Sequence, residues 1–269
     1  ESGQDHLGIY LYNGNEYLEG MLGAFKARLA PFNINYRYVD EELVYLLNNA
    51  KTRALLYHSS LADRVGAIRD RIPSLELLVQ VADETSDLLP GALDYETALF
   101  ESDQRRPEVE WDPDDLYILY TGGTTGMPKG VLWRHSDVLI ATLGGRRANG
   151  HVLESLDEYV NRARGMGRKS LPAPPFMHGA GHWNALQMLN AGGTVVIQDI
   201  VFGFDPKNVL EIIAREEVTT LLIVGDAFGR PLADELANNP HNVSSLRNII
   251  TGGAIMTANV KRELIELIP

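Results

Sequence analysis

The sequence has 269 residues, of which 45% are hydrophobic and 22% are charged, and its net charge is −12. This length is sufficient for one large domain or two small ones, with a proper core. The acidic balance argues against nucleic acid as a partner, because phosphate backbones require clustered Lys and Arg. The sequence has no cysteine, which excludes disulfides, zinc–thiolate sites and cysteine nucleophiles.

The two ends of the sequence bear on location and completeness. Residues 1–6 do not have the pattern of a signal peptide, and no apolar run reaches membrane-spanning length. We therefore expect a soluble, cytoplasmic protein, with association with acyl chains or a membrane surface left open. Because the sequence begins without Met and stops at Pro269, directly after an amphipathic helix, we expect it to be a fragment.

Residues 1–113 predict a first segment in which strands and helices alternate. Short β-rich runs indicate the strands, and apolar residues at helical spacing, such as Leu18, Met21 and Phe25, indicate the helices. Residues 83–113 are looser and contain several prolines. The predicted strands are 7–12, 54–57 and 75–81, and the predicted helices are 15–30, 40–49, 60–72 and 94–101.

Residues 114–143 centre on a loop rich in glycine and threonine. Leu116–Tyr120 predicts a buried strand that runs straight into this loop, Thr121–Gly126. Val131–Trp133 predicts a return strand, and a helix is expected over 136–143.

Residues 144–174, called the basic insertion below, have an unusual charge balance. Six basic residues stand against three acidic ones, Glu154, Asp157 and Glu158. One interpretation is a solvated surface segment with a helix near 154–164. The other is a positive rim near a phosphate-bearing ligand or an acidic lipid surface. The basic residues are Arg146, Arg147, Arg162, Arg164, Arg168 and Lys169.

Residues 175–269 return to the alternating pattern. Strands are predicted at 194–197, 220–224 and 249–250, and helices after Asp205–Pro206, over 226–238 and from Thr257. The alternation predicts an α/β fold with layered, mostly parallel sheets flanked by helices. Ligands in such sheets bind beyond the carboxyl ends of strands, where the glycine-rich turns 121–126 and 252–254 are expected.

The loop Thr121–Gly126 has the composition of a polyphosphate cradle. Its three glycines let backbone N–H groups approach a phosphate, its three threonines add hydroxyl donors, and Lys129 adds a positive charge. It is not a Walker A loop, because Pro128 precedes the lysine and Gly130 follows it. The dinucleotide-binding pattern G-x-G-x-x-G is also absent in the right register.

The run Tyr120–Gly130 resembles the phosphate-loop signature of the adenylate-forming superfamily, which includes acyl-CoA synthetases, peptide-synthetase adenylation domains and luciferases. The sequence departs from the usual signature at Gly122, where serine is common. Pro175–Gly179 resembles the family's second signature, and Thr251–Ala254 resembles its Gly-Gly-Ala turn. Within the superfamily, Val131–His135 and the basic insertion are most similar to bacterial CoA ligases for fatty acids or steroid side chains.

The resemblance implies a partial N-terminal adenylation domain over residues 1–269, without the C-terminal domain. Its parts would be a first βα segment, the phosphate loop, the basic insertion and an acyl- and adenine-binding βα segment over 175–269. The family's acidic Mg²⁺ ligand, ribose-binding Asp and C-terminal-domain lysine would lie beyond Pro269. We therefore expect that these residues alone do not make acyl-CoA.

The reaction implied by the resemblance is ATP-dependent activation of a carboxylic acid to an acyl-adenylate, followed by thioester formation with CoA. Mg²⁺ is the implied metal, with Thr121 as its candidate hydroxyl ligand. The implied catalytic residues are Lys129 and His178, and the implied acyl-binding residues are His178, Trp183 and Gly225. The implied ATP-binding residues are Thr121, Gly122, Gly123, Thr124, Thr125, Gly126, Lys129, Gly252, Gly253 and Ala254.

Several alternatives stay open at this stage. His178 either orients or gates the substrate or is a satisfied core histidine, and Trp183 and Gly225 could equally belong to the core. A metal site at His178 and His182 lacks a third ligand. The protein could instead load a carrier protein, or be a non-catalytic nucleotide-binding module. Homodimer formation is also left open.

Overall fold

The computed structural model describes residues 3–83, 87–123, 126–164 and 167–268, and the chain divides into two compact units, Glu1–Val138 and Leu139–Pro269. Each unit is an α/β body built on its own sheet. None of the helices in the described ranges combines the length and the apolar character needed to cross a membrane.

The first unit alternates strands with helices on the pattern that its sequence predicts. In α1, for example, the helical spacing of Tyr17, Leu18, Met21 and Ala24 buries all four side chains. Its elements are β1 (His6–Tyr10), α1 (Asn15–Lys26), β2 (Ala30–Asn33), α2 (Asp40–Asn49), β3 (Thr52–His58), α3 (Ala62–Ile68), β4 (Leu77–Val81), β5 (Leu93–Asp94), α4 (Tyr95–Glu101), β6 (Leu116–Gly123) and β7 (Gly126–Arg134).

The sheet of the first unit has seven strands in the order β5-β4-β3-β1-β2-β6-β7. Every neighbouring pair is parallel except β6 and β7, which form an antiparallel hairpin. The central strands are buried, with Tyr10, Phe32 and Tyr57 fully covered. The hairpin therefore extends one edge of a parallel sheet that is anchored in the core.

The second unit begins inside the next helix, α5 (His135–Ala141), and is built on a four-stranded parallel sheet in the order β11-β10-β8-β9. In α8, Asp205 caps the N-terminus, Pro206 occupies the first turn, and the apolar face is buried at Val209, Ile212 and Ile213. Its elements are α6 (Leu156–Ala163), β8 (Lys169–Pro172), α7 (Gly179–Asn190), β9 (Thr194–Val195), α8 (Pro206–Glu216), β10 (Thr220–Ile223), α9 (Gly225–Asn238), β11 (Asn248–Thr251) and α10 (Ala258–Leu267).

The structure confirms the predicted mostly parallel sheets and corrects several boundaries. The predicted helix 15–30 is too long, because the chain leaves helical geometry at Arg28, where φ is +59°, and enters β2. The predicted helix 60–72 is the shorter α3 with a 3₁₀ turn at either end. The predicted strand 194–197 ends at Val195, and the strand predicted over 7–12 spans His6–Tyr10.

Four elements were not predicted as such, and each carries a weak sequence signal. The strand β5 has only two residues. The strands β2 and β8 have only four residues each, and both contain a proline. The helix α7 has glycine at its first and third residues, and glycine has low helix propensity. Gly181 is required there, because a Cβ atom at this position would lie 2.7 Å from the carbonyl oxygen of Pro175.

Candidate functional site

The glycine- and threonine-rich loop forms the tip of the β6–β7 hairpin. Thr121 lies opposite Lys129, and Gly123 lies opposite Gly126. The loop therefore joins two antiparallel strands, whereas Walker A and dinucleotide-binding loops join a strand to a helix. This confirms both exclusions made from the sequence. Thr124 and Thr125 lie outside the described residues.

The entry to this loop is held by a buried asparagine. The Asn33 side chain donates a hydrogen bond to the carbonyl oxygen of Tyr120 and accepts one from its N–H, each at 2.8 Å. The Tyr120 hydroxyl donates to Asn49 at 2.7 Å, and burial raises the pKa of Tyr120 to about 12. The backbone is thus positioned immediately before Thr121.

Lys129 and Thr121 present their side chains together. Opposite residues of an antiparallel pair lie on the same face of a sheet, and both of these residues are exposed. Within the described part of the chain, no carboxylate forms an ion pair with Lys129. A Cβ atom at Gly126 would meet nothing within 4 Å, so its backbone faces open space. The hairpin thus offers a positive charge, a hydroxyl and uncovered backbone at one place.

In the second unit, three predicted site segments follow the carboxyl ends of neighbouring parallel strands. His178 lies beyond β8, Gly225 comes directly after β10 and Val224, and Gly252–Ala254 follows β11. Because β8, β10 and β11 are adjacent and parallel, these segments lie at the same edge of the sheet. This is the edge at which ligands bind in open α/β sheets.

The turn Gly252–Ala254 packs directly against the start of α9. The N–H of Gly225 donates to the Thr251 hydroxyl at 3.0 Å, and that of Asp226 donates to the carbonyl of Ile255 at 3.1 Å. Gly225 has a φ of +51°, and a Cβ atom there would lie 2.5 Å from the Ile255 carbonyl oxygen. The structure therefore brings the predicted acyl-binding Gly225 into contact with the predicted adenine-binding turn, and it requires glycine there.

The two histidines of the α7 region have different environments. His178 is exposed and precedes the first residue of α7, whereas His182 is fully buried and hydrogen-bonds through Nδ1 to the Phe176 carbonyl oxygen at 2.6 Å. Burial lowers the pKa of His182 to about 4. His182 is thus a neutral core residue, and its ring lies edge-on to the half-buried Trp183 with centroids 6.2 Å apart.

The metal prediction rests on Thr121 alone. In the described ranges, no group of three or more His, Asp or Glu residues is arranged to hold a metal ion. Mg²⁺ commonly combines one or two carboxylates with substrate phosphates and water. The exposed Thr121 hydroxyl fits the role of a single oxygen ligand beside such phosphates and no more than that.

Sequence reasoning missed the side chains that position the site. No local pattern singles out Asn33, whose hydrogen bonds to Tyr120 span 87 positions of the chain. Asp226 accepts from the N–H of Thr257 at 2.8 Å and ties the start of α9 to the approach to α10. Periodicity carries no signal for contacts of this kind, because they depend on strand order.

Comparison with known proteins places the chain in a family. The model of the family described as AMP-binding enzyme matches residues 2–269. The medium-chain acyl-CoA ligase Mig of Mycobacterium avium is 48% identical over 100% of this chain and 50% of its own length. The 3-oxocholest-4-en-26-oate–CoA ligase of Rhodococcus rhodochrous is 34% identical over 98% of this chain and 49% of its own.

Solved structures agree on the fold. The anthranilate CoA ligase AuaEII, in complex with anthranoyl-AMP, superposes with a TM-score of 0.79 at 21% identity, over 98% of this chain and 48% of its own. A long-chain-fatty-acid-CoA ligase from Archaeoglobus fulgidus gives 0.78 at 22% identity over the same shares of the two chains. The chain spans about half the length of the curated relatives it matches. The family model, which covers nearly every residue, establishes that this chain belongs to the AMP-binding enzyme family.

Proposed function

We propose that the protein to which this chain belongs activates a medium-chain or steroid-type carboxylic acid with ATP and transfers the acyl group to CoA. The observation that carries this proposal is the β6–β7 hairpin, where Lys129 has no ion-pair partner in the described ranges and lies opposite Thr121. The substrate class is suggested by the names of the relatives that share 48% and 34% identity with the chain.

The first half-reaction forms the acyl-adenylate. A carboxylate oxygen bonds to the α-phosphorus of ATP, the bond from that phosphorus to the bridging oxygen breaks, and pyrophosphate leaves. The charge that accumulates on the departing phosphates must be neutralised. Lys129 would supply a cation, and the glycine backbone and Thr121 hydroxyl would supply hydrogen bonds. Mg²⁺, when bound beside Thr121, would add further neutralising charge.

The second half-reaction forms the thioester. The sulfur of CoA bonds to the acyl carbon, AMP leaves, and the thiol proton passes to solvent. The carboxylic acid is already ionised at neutral pH, so His178 is not needed as a general base for the first step. Its exposed position before α7 suits a residue that orients the acyl group. Gly252–Ala254 would hold the adenine, and Trp183 and Gly225 would border the acyl group. Since ATP and CoA are cytoplasmic substrates, we also propose a cytoplasmic location.

The test is AMP release by the whole protein with medium-chain, long-chain and steroid carboxylates, with and without CoA. We expect acid-dependent AMP release that Lys129→Ala reduces about 100-fold, as for the loss of one charge-stabilising donor. Lys207→Ala is the matched control, because Lys207 is also an exposed lysine but pairs with Glu211 on α8. We expect the isolated 269-residue chain to form no acyl-CoA.

Two results would contradict this proposal. Equal loss of activity in Lys129→Ala and Lys207→Ala would remove the hairpin from the reaction. Absence of ATP binding by the whole protein would instead favour a non-catalytic module. If product forms only when a carrier protein is added, the acceptor is the carrier protein and not CoA. That result would leave the first half-reaction in place.

A further inference from the structure

The basic insertion is a folded frame in the second unit. Its first part is a small hairpin in which Arg146 bridges Val152 and the turn contains Gly150. Gly145 allows this hairpin to pack, because a Cβ atom there would lie 2.8 Å from the Leu139 carbonyl oxygen and 2.9 Å from the Tyr159 hydroxyl. Residues 146–152 are therefore held against α5 and α6.

The helix α6 is fastened on both sides. Ser155 caps its N-terminus by accepting from the Glu158 N–H, and Arg162 donates to the carbonyl oxygen of Gly144. Gly192 allows the C-terminal end of α6 to pack against the turn after α7, because a Cβ atom at Gly192 would clash with the Ala163 carbonyl oxygen. The predicted helix near 154–164 is confirmed as α6, which lies at the surface with none of its residues buried and is held by its cap and by Arg162.

This frame points four guanidinium-bearing residues at one concavity of about 390 Å³. Arg146 and Arg147 belong to the hairpin, Arg162 belongs to α6, and Arg168 immediately precedes β8. Gln187 of α7 lines the same concavity and can both donate and accept hydrogen bonds. Four separate parts of the second unit thus converge on a volume in the range of small-molecule sites.

The charges in this concavity are not neutralised by the protein. Among the described residues, no carboxylate forms an ion pair with Arg146, Arg147 or Arg168, and all three are exposed. Arg215 of α8, in contrast, contacts Asp199 at 3.0 Å. The concavity is therefore a local positive site in a protein with a net charge of −12.

Glu158, whose charge interacts with that of Arg147, is already engaged. Glu158 contacts the His151 ring at 3.1 Å and accepts from the Glu154 N–H at 2.8 Å. Hydrogen bonds from the Glu154 N–H and from His151 lower the pKa of Glu158. The nearby Arg147 charge lowers it further, by a smaller amount. Glu158 thus shapes the hairpin and leaves the arginine donors available.

We propose that this arginine-lined concavity binds the phosphate groups of a small, multiply phosphorylated ligand. Guanidinium groups match phosphate oxygens in geometry and charge, and a concave site lined by one sign of charge concentrates its counter-ion. An anion that binds between these guanidinium groups also reduces their mutual repulsion. The concave shape favours a discrete molecule over the flat surface of a bilayer.

The test is calorimetric titration of the whole protein with adenosine 3′,5′-bisphosphate, with Arg147→Gln and Arg168→Gln as variants. We expect each variant to raise the Kd about tenfold, which corresponds to about 1.4 kcal/mol. Arg164→Gln is the matched control, because Arg164 is an exposed arginine of the same segment that does not line the concavity. It should leave the Kd within about twofold, and thermal melting should show that all variants are folded.

A further variant distinguishes binding at this concavity from binding at the β6–β7 hairpin. Lys129→Gln removes the cation of the β6–β7 hairpin, and we expect this variant to retain the Arg147-dependent binding of the bisphosphate. This expectation does not depend on whether the proposed ligase activity is found. Equal weakening by Arg164→Gln and Arg147→Gln would overturn the proposal, since net charge alone would then explain it. Arg147-dependent binding to phosphatidylglycerol vesicles without binding of the bisphosphate would also overturn it, and would assign the concavity to a membrane surface.

Discussion

Asn33 and Tyr120 form a two-point contact in which a side-chain amide replaces a backbone pairing. Asn33 donates to the Tyr120 carbonyl and accepts from the Tyr120 N–H, both at 2.8 Å, and Asn33 is only 4% exposed. The backbones of β2 and β6 pair at Phe32 and Ile118, and the amide extends this register towards the loop. The start of the loop between β6 and β7 therefore depends on a residue from the early part of the chain.

We expect Asn33→Ala to lower the free energy of unfolding by about 2 to 4 kcal/mol, because the buried N–H and C=O of Tyr120 would each lose a partner. Chemical denaturation of the purified protein measures this change. Asn238→Ala is the control, because Asn238 is exposed and bonds only to the Asp234 carbonyl one turn back. Equal effects of the two substitutions would show that the amide contact with Tyr120 adds no stability.

The contact between Asn33 and Tyr120 also shows what could not be predicted from the sequence alone. Local patterns predicted the long helices, the strand Leu116–Tyr120 and the return strand, because burial imposes periodicity within a single element. They did not predict β2, which has four residues including Pro31 and is stabilised by strands distant in sequence. The partner of Tyr120 follows from that strand order, so no periodic signal could identify it.

The candidate site likewise contains some features that the sequence predicted and some contacts that it did not. Glycine and threonine spacing predicts a phosphate loop at Thr121–Gly126 without knowledge of the fold, because such a loop needs uncovered backbone whatever surrounds it. The contact of Gly225 with Ile255 and Ala254 was not foreseen, since it arises from the adjacency of β10 and β11. His182 had no distinguishing signal in the sequence, and only its complete burial assigns it to the core.

Two glycines of the hairpin allow stability and ligand binding to be separated. A Cβ atom at Gly130 would lie 3.0 Å from Ile118 and 3.1 Å from the Tyr120 ring, so we expect Gly130→Ala to cost about 1 kcal/mol through overpacking. At Gly126 the added methyl meets nothing, so we expect Gly126→Ala to change stability by less than about 0.5 kcal/mol.

For the KM for ATP we expect the opposite ranking, with Gly126→Ala affected more than Gly130→Ala. The Gly126 backbone faces open space, and a methyl group there would obstruct the approach of a phosphate, so the KM for ATP should rise. Denaturation curves and AMP-release kinetics on both variants check the separation. An unchanged KM for ATP in Gly126→Ala would remove this residue from the nucleotide site.

The buried His182 should make stability depend on pH. Burial, with a smaller contribution from the nearby His178 charge, lowers its pKa to about 4, whereas an exposed imidazole in the unfolded chain titrates near 6.5. Between these values the unfolded chain binds the additional proton. The contribution is therefore complete above about pH 6.5 and is lost as the pH falls towards 4, with a magnitude on the order of 3 kcal/mol.

Comparison with His182→Gln isolates this contribution, because burial also lowers the pKa of His58 and His135. Unfolding free energies measured in urea at pH 7 and pH 4.5 should fall more steeply for the natural protein than for the variant. Glutamine cannot acquire the proton and retains an N–H group that can donate to the Phe176 carbonyl, as the histidine ring does. Identical pH slopes would mean that His182 titrates alike in both states, which its complete burial argues against.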